Sequence, residues 1–266
     1  MMIIDIAEPD DSRLTAFYDL YSRIFVLEEE REPLDAIRTI LRLNRDPAVQ
    51  AEFGPLREQI AVALDPATGA AIGLANYILY AYPRAAGRFD GSCQLNFLCV
   101  DPAHRGRGLA GRLLEHVDER LRGFVAAETG SSSPLVFITI EQNNPARMTP
   151  EQRRADLDAA GIAPERRSRW WAAKGYRRLD FPYRQPPLSA DVEACAYLDY
   201  YARVPGDADL RVTSLPADRL AEHLRRFFFV SVGKLAVDME ANPEWLAQKA
   251  YLSGRSEVAL TTAGAI

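Results

Sequence analysis

The sequence predicts a mixed α/β fold, in which helices flank a central sheet and a helical extension follows. Segments of strand character alternate with segments of helical periodicity in the order βααβββαβααββ, and two further helical segments follow. A loop rich in glycine and arginine joins one buried strand directly to a helix. With 266 residues, 48% of them hydrophobic, the chain is long enough to bury a sizeable core.

The first half of the chain begins with a short strand, "MIIDIA", and two amphipathic helices. Apolar residues at helical spacing predict these helices over residues 12–27 and 33–43. "IAVALDPATGAAIGLANYILY" predicts a hairpin, because two apolar runs flank an Asp-Pro…Thr-Gly turn. A loop over residues 84–92 then leads to the buried strand "CQLNFLCV" and to the helix after it.

A helical insertion is predicted between residues 146 and 168. Thr149 suits the N-cap, Pro150 the first helical position and Gln152 the reciprocal capping position. Gly161 is a suitable residue to end this helix.

The second half of the chain predicts one more core helix, two closing strands and the extension. The helix covers residues 165–174, and "YRRLDFPYRQPPL" and "VEACAYLDYYARV" predict the strands. Helices over 215–229 and 243–252 follow, and the small, polar tail "SEVALTTAGAI" is expected to fray. We therefore predict a core domain over residues 1–205 and an extension over residues 206–266. The extension is expected to dock on the core, because it carries more apolar surface than about sixty residues bury alone.

Composition and local patterns exclude several classes of function. A formal net charge of −5 provides no global attraction to nucleic acid or to an anionic membrane. The cysteines Cys93, Cys99 and Cys195 lack metal-binding spacing and indicate buried thiols in a reducing compartment. His116 and His223 each lie on a predicted helix without a partner at ligand spacing, so no metal site is expected. With no secretion signal or membrane-length apolar run, we expect a cytoplasmic protein without nucleic-acid or membrane partners.

The stretch "LNFLCVDPAHRGRGLAG", residues 95–111, has the features of a phosphate-binding loop. Backbone amides at the start of a helix have no partner within it, and the helix dipole makes that end positive. Glycines allow a phosphate to approach those amides, and arginines add charge. The segment 105–111 therefore predicts a cradle for a phosphorylated ligand, with a glycine-rich turn before a surface helix as the alternative. The P-loop and Rossmann patterns are both missing from it.

This stretch resembles motif A of the GNAT N-acetyltransferase superfamily, in which R/Q-x-x-G-x-G/A opens a helix after a strand. The matching positions are Arg105, Gly108 and Ala110. Further along, an apolar strand over residues 135–140 leads into "NNPA", and a helix ends in "KGY", which is similar to the family's usual KxGF. The resemblance covers roughly residues 1–203. It implies a mostly antiparallel sheet in which two parallel strands splay apart.

The resemblance also implies that acetyl-CoA is the cosubstrate and lies between the two splayed strands. The first of them would hold the pantetheine arm through its main chain, and the loop amides would hold the pyrophosphate. An asparagine at the end of the second strand would contact the pantetheine amides. The cofactor-binding residues expected on this basis are Leu98, Cys99, Val100, Arg105, Gly106, Arg107, Gly108, Leu109, Ala110 and Asn144.

Acetyl transfer to an amine needs a base for the amine and benefits from an acid for the departing thiolate. The family often supplies that acid as a tyrosine four residues before the glycine of KxGF, but this chain has Trp171 there. Trp171 either packs in the core or walls the acyl pocket. Tyr176 and a bound water molecule are the candidate substitutes for the acid, and the spacing indicates neither of them. Glu141, where the second splayed strand meets the cleft, is the candidate base, and a solvated charge is the alternative.

An acidic cluster follows the first predicted helix and, in this family, borders the acceptor entrance. Its members are Glu28, Glu29, Glu30 and Glu32. The cluster either attracts a cationic amine or is a hydrated loop. His104 is expected to contact phosphate or solvent rather than act as a base.

These features predict an N-acetyltransferase that moves an acetyl group from acetyl-CoA to a primary amine of a small molecule or peptide by direct attack. The alternative is a non-catalytic acyl-CoA-binding module, which the missing tyrosine favours. The C-terminal helices either cover the acceptor cleft or form a homodimer contact. The acceptor itself has no readable code in the sequence.

Overall fold

The computed structural model describes residues 2–25, 31–82, 88–185, 195–232 and 238–261. They divide into two compact units, each described here by itself. Unit 1 comprises Met1–Val136 with Ala159–Gly161, and unit 2 comprises Phe137–Asp158 with Ile162–Ile266.

The sheet of unit 1 is a meander of antiparallel strands. In spatial order these are β1 (Met2–Ile6), β2 (Leu56–Leu64), β3 (Ala71–Ala81) and β4 (Gly91–Val100). β2 and β3 form the hairpin that the sequence predicts. The central strands are almost wholly buried, since helices cover both faces of the sheet.

The helices of unit 1 are α1 (Leu14–Ile24), α2 (Leu34–Leu43), α3 (Pro47–Phe53) and α4 (Leu109–Thr129). Three of them follow the predicted apolar periodicity, whereas α3 was not predicted. That helix is seven residues long and buries only Phe53, so it has no repeating apolar stripe. The Asp46 side chain starts it by accepting hydrogen bonds from the N–H groups of Ala48 and Val49.

β3 and β4 slip by one residue at Asn96, which lies opposite the step between Asn76 and Tyr77. The side chain of Asn96 donates to Asn76 Oδ1 at 2.6 Å, and Asn76 donates to Glu58 Oε1 at 2.8 Å. A bulge of this kind bends a strand and changes where the following residues point. Here it sets the direction of the last four residues of β4, which lead into the glycine loop.

Unit 2 contains a second antiparallel set of strands. Along the sheet they are β5 (Val136–Asn143), β7 (Leu198–Arg203), β6 (Arg177–Leu179), β9 (Glu257–Thr261) and β8 (Ser214–Pro216). The predicted class, a mixed α/β fold with mostly antiparallel pairing, is confirmed.

The end of the chain corrects a prediction, because residues 257–261 form β9 instead of fraying. Val258 and Leu260 are buried while Glu257 and Ala259 are exposed, so the segment alternates as a strand must. The pattern is only five residues long and lies in a small, polar tail, which is why it does not predict a strand. The extension over residues 206–266 therefore contributes two strands as well as helices.

The remaining helices are α5 (Pro150–Ala160), α6 (Pro164–Ala173), α7 (Ala217–Arg226) and α8 (Pro243–Ser253). The predicted capping box of α5 is present, since Thr149 N–H donates to Gln152 Oε1 at 2.8 Å and Gln152 N–H donates to Thr149 Oγ1 at 3.2 Å. α7 continues into a π-helical turn over Phe227–Val232. None of the helices within the described ranges has the length and apolar character needed to cross a membrane.

Candidate active site

The loop between β4 and α4 forms an open cradle of backbone amides. Gly106 and Gly108 have φ angles of +78° and +75°, which favour glycine. Gly108 occupies the N-cap position of α4, and no side chain in the described part of the chain caps this helix. A Cβ atom added to either glycine would meet no described atom within 4 Å. The first amides of α4 are therefore accessible to an anion, as phosphate binding requires.

Arg105 fastens the start of this loop. Its Nε donates to the carbonyl of Val100 at 3.1 Å, and one terminal nitrogen donates to the carbonyl of Ala160 at 3.2 Å. Its guanidinium is thus engaged with protein carbonyls, whereas the side chain of Arg107 is exposed. The two arginines of the motif therefore differ in their surroundings: Arg105 is hydrogen-bonded to two carbonyl groups, and Arg107 is exposed.

The last residues of β4 direct alternate main-chain groups away from β3. Asp101 N–H donates to the carbonyl of Ile72 in β3 at 3.0 Å, so Cys99, two residues earlier, also directs its main-chain groups to β3. The N–H and C=O groups of Leu98 and Val100 consequently face the opposite side. That orientation is the one that a pantetheine arm pairing with the strand requires.

Glu141 lies on β5 in unit 2 and is held by two side chains. The hydroxyl of Tyr183 donates to Oε1, and Nε2 of Gln185 donates to Oε2 at 3.1 Å. Burial raises the pKa of Glu141 from 4.5 to about 7, although the hydrogen bond from Tyr183 lowers it. The Glu141 side chain is half-buried, and its carboxyl group accepts two hydrogen bonds from other side chains. These surroundings differ from those of the solvated charge that is the alternative interpretation.

Tyr183 is almost completely buried, and its ring is fixed by stacking. It lies parallel to the ring of Tyr200, with centroids 4.4 Å apart and an angle of 12°. Tyr200 in turn is the β7 residue directly opposite Glu141 in the strand register. Burial and the nearby Glu141 carboxylate raise the pKa of Tyr183 well above 10, so its hydroxyl stays protonated and serves as a donor.

With this geometry established, comparison with known proteins decides the family. A family model described as "Acetyltransferase (GNAT) family" matches residues 14–148, which is just over half of the chain. The chain belongs to the GNAT acetyltransferase family. The matched segment includes β4, the glycine loop, α4 and Glu141. No protein with a curated description matches the sequence.

Solved structures of acetyltransferases are similar to this GNAT chain at low sequence identity. The NatC complex bound to Gag peptide and CoA is 16% identical, with 77% of this chain and 99% of that one covered and a TM-score of 0.40. An aminoglycoside 6'-N-acetyltransferase complexed with coenzyme A is 13% identical, with coverage of 77% and 97% and a TM-score of 0.42. Arabidopsis thaliana Naa50 in complex with the bisubstrate analogue CoA-Ac-MVNAL is 13% identical, with coverage of 76% and 99% and a TM-score of 0.41.

Trp171, at the usual GNAT tyrosine position, is half-buried on α6. Its ring makes edge contacts with Trp170 and Tyr176, at centroid distances of 4.7 and 5.0 Å. In the described part of unit 2, the hydroxyl that donates to Glu141 belongs instead to Tyr183, which is 42 residues away in sequence. No spacing rule in the sequence connects the two residues, so sequence reasoning identifies Glu141 but misses Tyr183 and Gln185.

Asn144, expected to contact pantetheine in a GNAT protein, is held within unit 2. Its Nδ2 donates to Asp199 Oδ2 at 2.7 Å, and its Oδ1 accepts a hydrogen bond from Ala146 N–H at 2.9 Å. A contact with the cosubstrate would therefore use the second amide proton of Nδ2 or the second lone pair of Oδ1. The predicted role of Asn144 stays a prediction.

The predicted acidic cluster falls largely outside the described residues, since Glu28, Glu29 and Glu30 lie there. The backbone N–H of Glu32 donates to the Tyr21 hydroxyl at 3.1 Å. The acceptor-attracting role of this cluster stays a prediction. Within the described ranges, no group of three or more histidine, cysteine or acidic side chains is arranged to hold a metal ion.

Cys99, on the same strand end as the expected pantetheine contacts, is a poor nucleophile in this GNAT protein. Burial raises the pKa of its thiol to about 12. At neutral pH the reactive thiolate is therefore almost absent. This environment disfavours a covalent acyl-cysteine at this position.

Proposed function

We propose that this GNAT protein is an N-acetyltransferase that transfers the acetyl group of acetyl-CoA to a primary amine of a small molecule or peptide by direct attack. The observation that carries the chemical step is the Glu141 carboxyl group, held by Tyr183 and Gln185 with a pKa of about 7. A general base is most effective when its pKa lies near the working pH.

The glycine loop of unit 1 fits the pyrophosphate of the cosubstrate. Its amides from Gly106 to Ala110 would donate hydrogen bonds to the phosphate oxygens, and Arg107 would add positive charge. The Arg105 N–H, predicted from the sequence to be one of these amides, donates to the Pro102 carbonyl at 3.4 Å. The outward-facing main-chain groups of Leu98 and Val100 would pair with the pantetheine arm. When bound, acetyl-CoA supplies an acyl group activated as a thioester.

Glu141 would accept the proton that the acceptor ammonium must lose before its nitrogen attacks. The Tyr183 hydroxyl and the Gln185 amide hold the two oxygens of the carboxyl group, so their positions stay the same while the proton is transferred. In direct attack the acceptor nitrogen bonds to the thioester carbon: a C–N bond forms and the C–S bond breaks. The raised pKa of Cys99 is consistent with this route, because a protonated thiol does not compete with the amine for the acetyl group. The departing thiolate then takes up a proton.

The test is thiol release from acetyl-CoA across a panel of small-molecule and peptide amines. Replacing Glu141 with glutamine keeps the size of the side chain but removes the base. We expect turnover to fall by about 100- to 10,000-fold at neutral pH, with CoA affinity unchanged. The loss should shrink at high pH, where the acceptor amine deprotonates unaided.

Glu151→Gln is the matched control, because this exposed glutamate at the start of α5 undergoes the same chemical change away from Glu141. It should leave turnover unchanged. Wild-type turnover of Glu141→Gln at every pH would refute the base assignment. Tight binding of acetyl-CoA without thiol release for any amine would instead identify an acyl-CoA-binding module.

A further inference from the structure

The two side chains that hold Glu141 belong to one short segment, residues 181–185, which lies outside any helix or strand. Between them, Arg184 is held through its main chain by Gln248 of α8. Nε2 of Gln248 donates to the Arg184 carbonyl at 2.7 Å, and the Arg184 N–H donates to Oε1 of Gln248 at 3.4 Å. A side-chain amide thus provides the pair of hydrogen bonds that a neighbouring strand would otherwise provide.

Gln248 is itself rigidly placed. Its side chain is 2% exposed, and Nε2 also donates to the carbonyl of Glu244 one helical turn earlier, at 3.0 Å. A buried amide with both ends hydrogen-bonded has one favourable orientation, because any other leaves polar atoms unsatisfied. The position of Arg184 is therefore coupled to the position of α8.

Aromatic packing from the same part of the chain supports Tyr183 directly. The ring of Phe228, in the π-helical turn after α7, lies 6.3 Å from the ring of Tyr183. Trp245 of α8 packs edge-on against Phe228, with centroids 5.9 Å apart. The Tyr183 ring thus lies in a cluster that includes Tyr200 from β7 and Phe228 from the extension.

We propose that Gln248 is a positioning residue for the Glu141 carboxyl group, which the C-terminal extension thereby holds in place. The amide of Gln248 fixes residues 183–185, and these fix the two donors on the carboxyl group. The catalytic consequence rests on the proposed function, whereas the coupling between Gln248 and Glu141 does not.

The direction of the effect follows from the hydrogen bond that Tyr183 donates. This bond stabilises the charged carboxylate and so opposes the burial that raises the pKa of Glu141. Tyr183 and Tyr200 are the titratable groups that face it, and His223 lies behind Tyr200. No charged side chain in the described ranges contributes to the shift. Loosening residues 183–185 should therefore raise the pKa of Glu141 further.

The test is a titration of the Glu141 carboxyl carbon by NMR in protein carrying labelled glutamate, with Glu141→Gln to assign the signal. The main variant is Gln248→Met, which keeps the length of the side chain and removes both hydrogen bonds to Arg184. We expect Tyr183→Phe to raise the Glu141 pKa by about one unit and Gln248→Met by about half a unit. The double variant should shift the pKa by less than the sum of the two single shifts, because Gln248 acts in part through the Tyr183 contact that Tyr183→Phe already removes.

Leu246→Ala is the matched control, since Leu246 lies on the same helix and is 44% exposed. It should leave the titration unchanged. If Gln248→Met does not fold, Gln248→Asn replaces it, because the shorter amide keeps the polarity but does not reach Arg184. A folded Gln248 variant with the wild-type Glu141 pKa would overturn the proposal, as would a double variant whose shifts add in full.

The pH profile of thiol release separates this proposal from the proposed function. If both hold, the acid limb of the profile moves to higher pH in Gln248→Met by the same half unit. If Glu141→Gln retains wild-type turnover while Gln248→Met still raises the Glu141 pKa in the NMR titration, the base assignment is wrong and the coupling through Gln248 is right.

Discussion

The chemical character of Glu141 depends on its surroundings more than on its residue type. In water its carboxyl would be charged above pH 4.5, but burial raises its pKa to about 7. The Tyr183 ring, which stacks on Tyr200, places a hydroxyl that stays protonated against Oε1 of Glu141. A carboxyl group that exchanges its proton near neutral pH is suited to accept one from an acceptor ammonium.

The same shift predicts a pH dependence of stability. Because the pKa of folded Glu141 lies above its ordinary value of 4.5, the folded protein binds this proton more tightly between pH 4.5 and about 7. The free energy of unfolding therefore falls as pH rises through this range. Glu141→Gln does not titrate, so we expect it to be more stable than wild type at pH 8 by about 1–3 kcal/mol and to match it at pH 4.5.

Denaturant unfolding at the two pH values, with Glu151→Gln as the exposed control, measures this difference. A wild-type protein as stable as Glu141→Gln at pH 8 would show that the Glu141 carboxyl is not desolvated.

At the scale of one element, the start of α4 combines local conformation with long-range charge. Gly108 adopts the left-handed region, which brings the chain into the helix without a capping side chain. The helix dipole then places partial positive charge at the amides that follow. The Gly108 conformation and the helix dipole come from neighbouring residues, whereas the start of the loop is also held by the distant contact of Arg105 with the Ala160 carbonyl.

Gly108→Asp tests the cradle, because it introduces a side chain and a negative charge where a phosphate would lie. Aspartate tolerates the left-handed region better than most residues, so we expect the fold to be retained. Loss of charge-assisted hydrogen bonds should weaken CoA binding by about 10- to 100-fold or more, measured by calorimetry.

Gly130→Asp is a close control for that change. Gly130 ends the same helix with φ +74°, against +75° for Gly108, and neither has a described atom near an added Cβ. The backbone strain is therefore the same, but the new charge lies at the opposite end of α4. Equal CoA affinity in Gly108→Asp and wild type would contradict the cradle.

At the scale of the whole molecule, the residues after position 205 belong to unit 2. β9 pairs with β6, and His223 of α7 is fully buried, with Nε2 2.7 Å from Thr139 Oγ1 and 2.9 Å from the Tyr200 hydroxyl. Burial lowers the pKa of His223 from 6.5 to about 3, so it is neutral in the folded protein. The extension thus satisfies polar groups of the sheet as well as covering apolar ones.

We therefore expect residues 206–266 to remain unfolded when they are expressed alone. Their helices and strands would expose the aromatic faces that pack on β7 and on residues 181–183, and about sixty residues bury too little surface to compensate. Circular dichroism and thermal unfolding of the fragment, beside the full chain, provide the measurement. A cooperative unfolding transition in the isolated fragment would contradict docking as the basis of its stability.

The sequence by itself determined what depends on neighbouring residues. The glycine loop before α4 and the Thr149–Gln152 capping box are each formed by residues that are close together in the sequence. Composition and spacing were therefore sufficient to predict their local structure. Motif A likewise identified the family that the matching model confirms. α3 and β9 were missed because each is short and has a weak apolar period.

The tertiary structure decided what depends on residues far apart in the chain. Glu141 could be chosen from its place at the end of a strand, but its partner Tyr183 lies 42 residues away and Gln248 lies beyond both. Hydrogen bonding and burial set the pKa of a carboxyl group, and both arise only when these distant segments pack together. For that reason the strand that carries Glu141 could be predicted from the sequence, whereas the pKa of Glu141 and the residues that hold its carboxyl group could not.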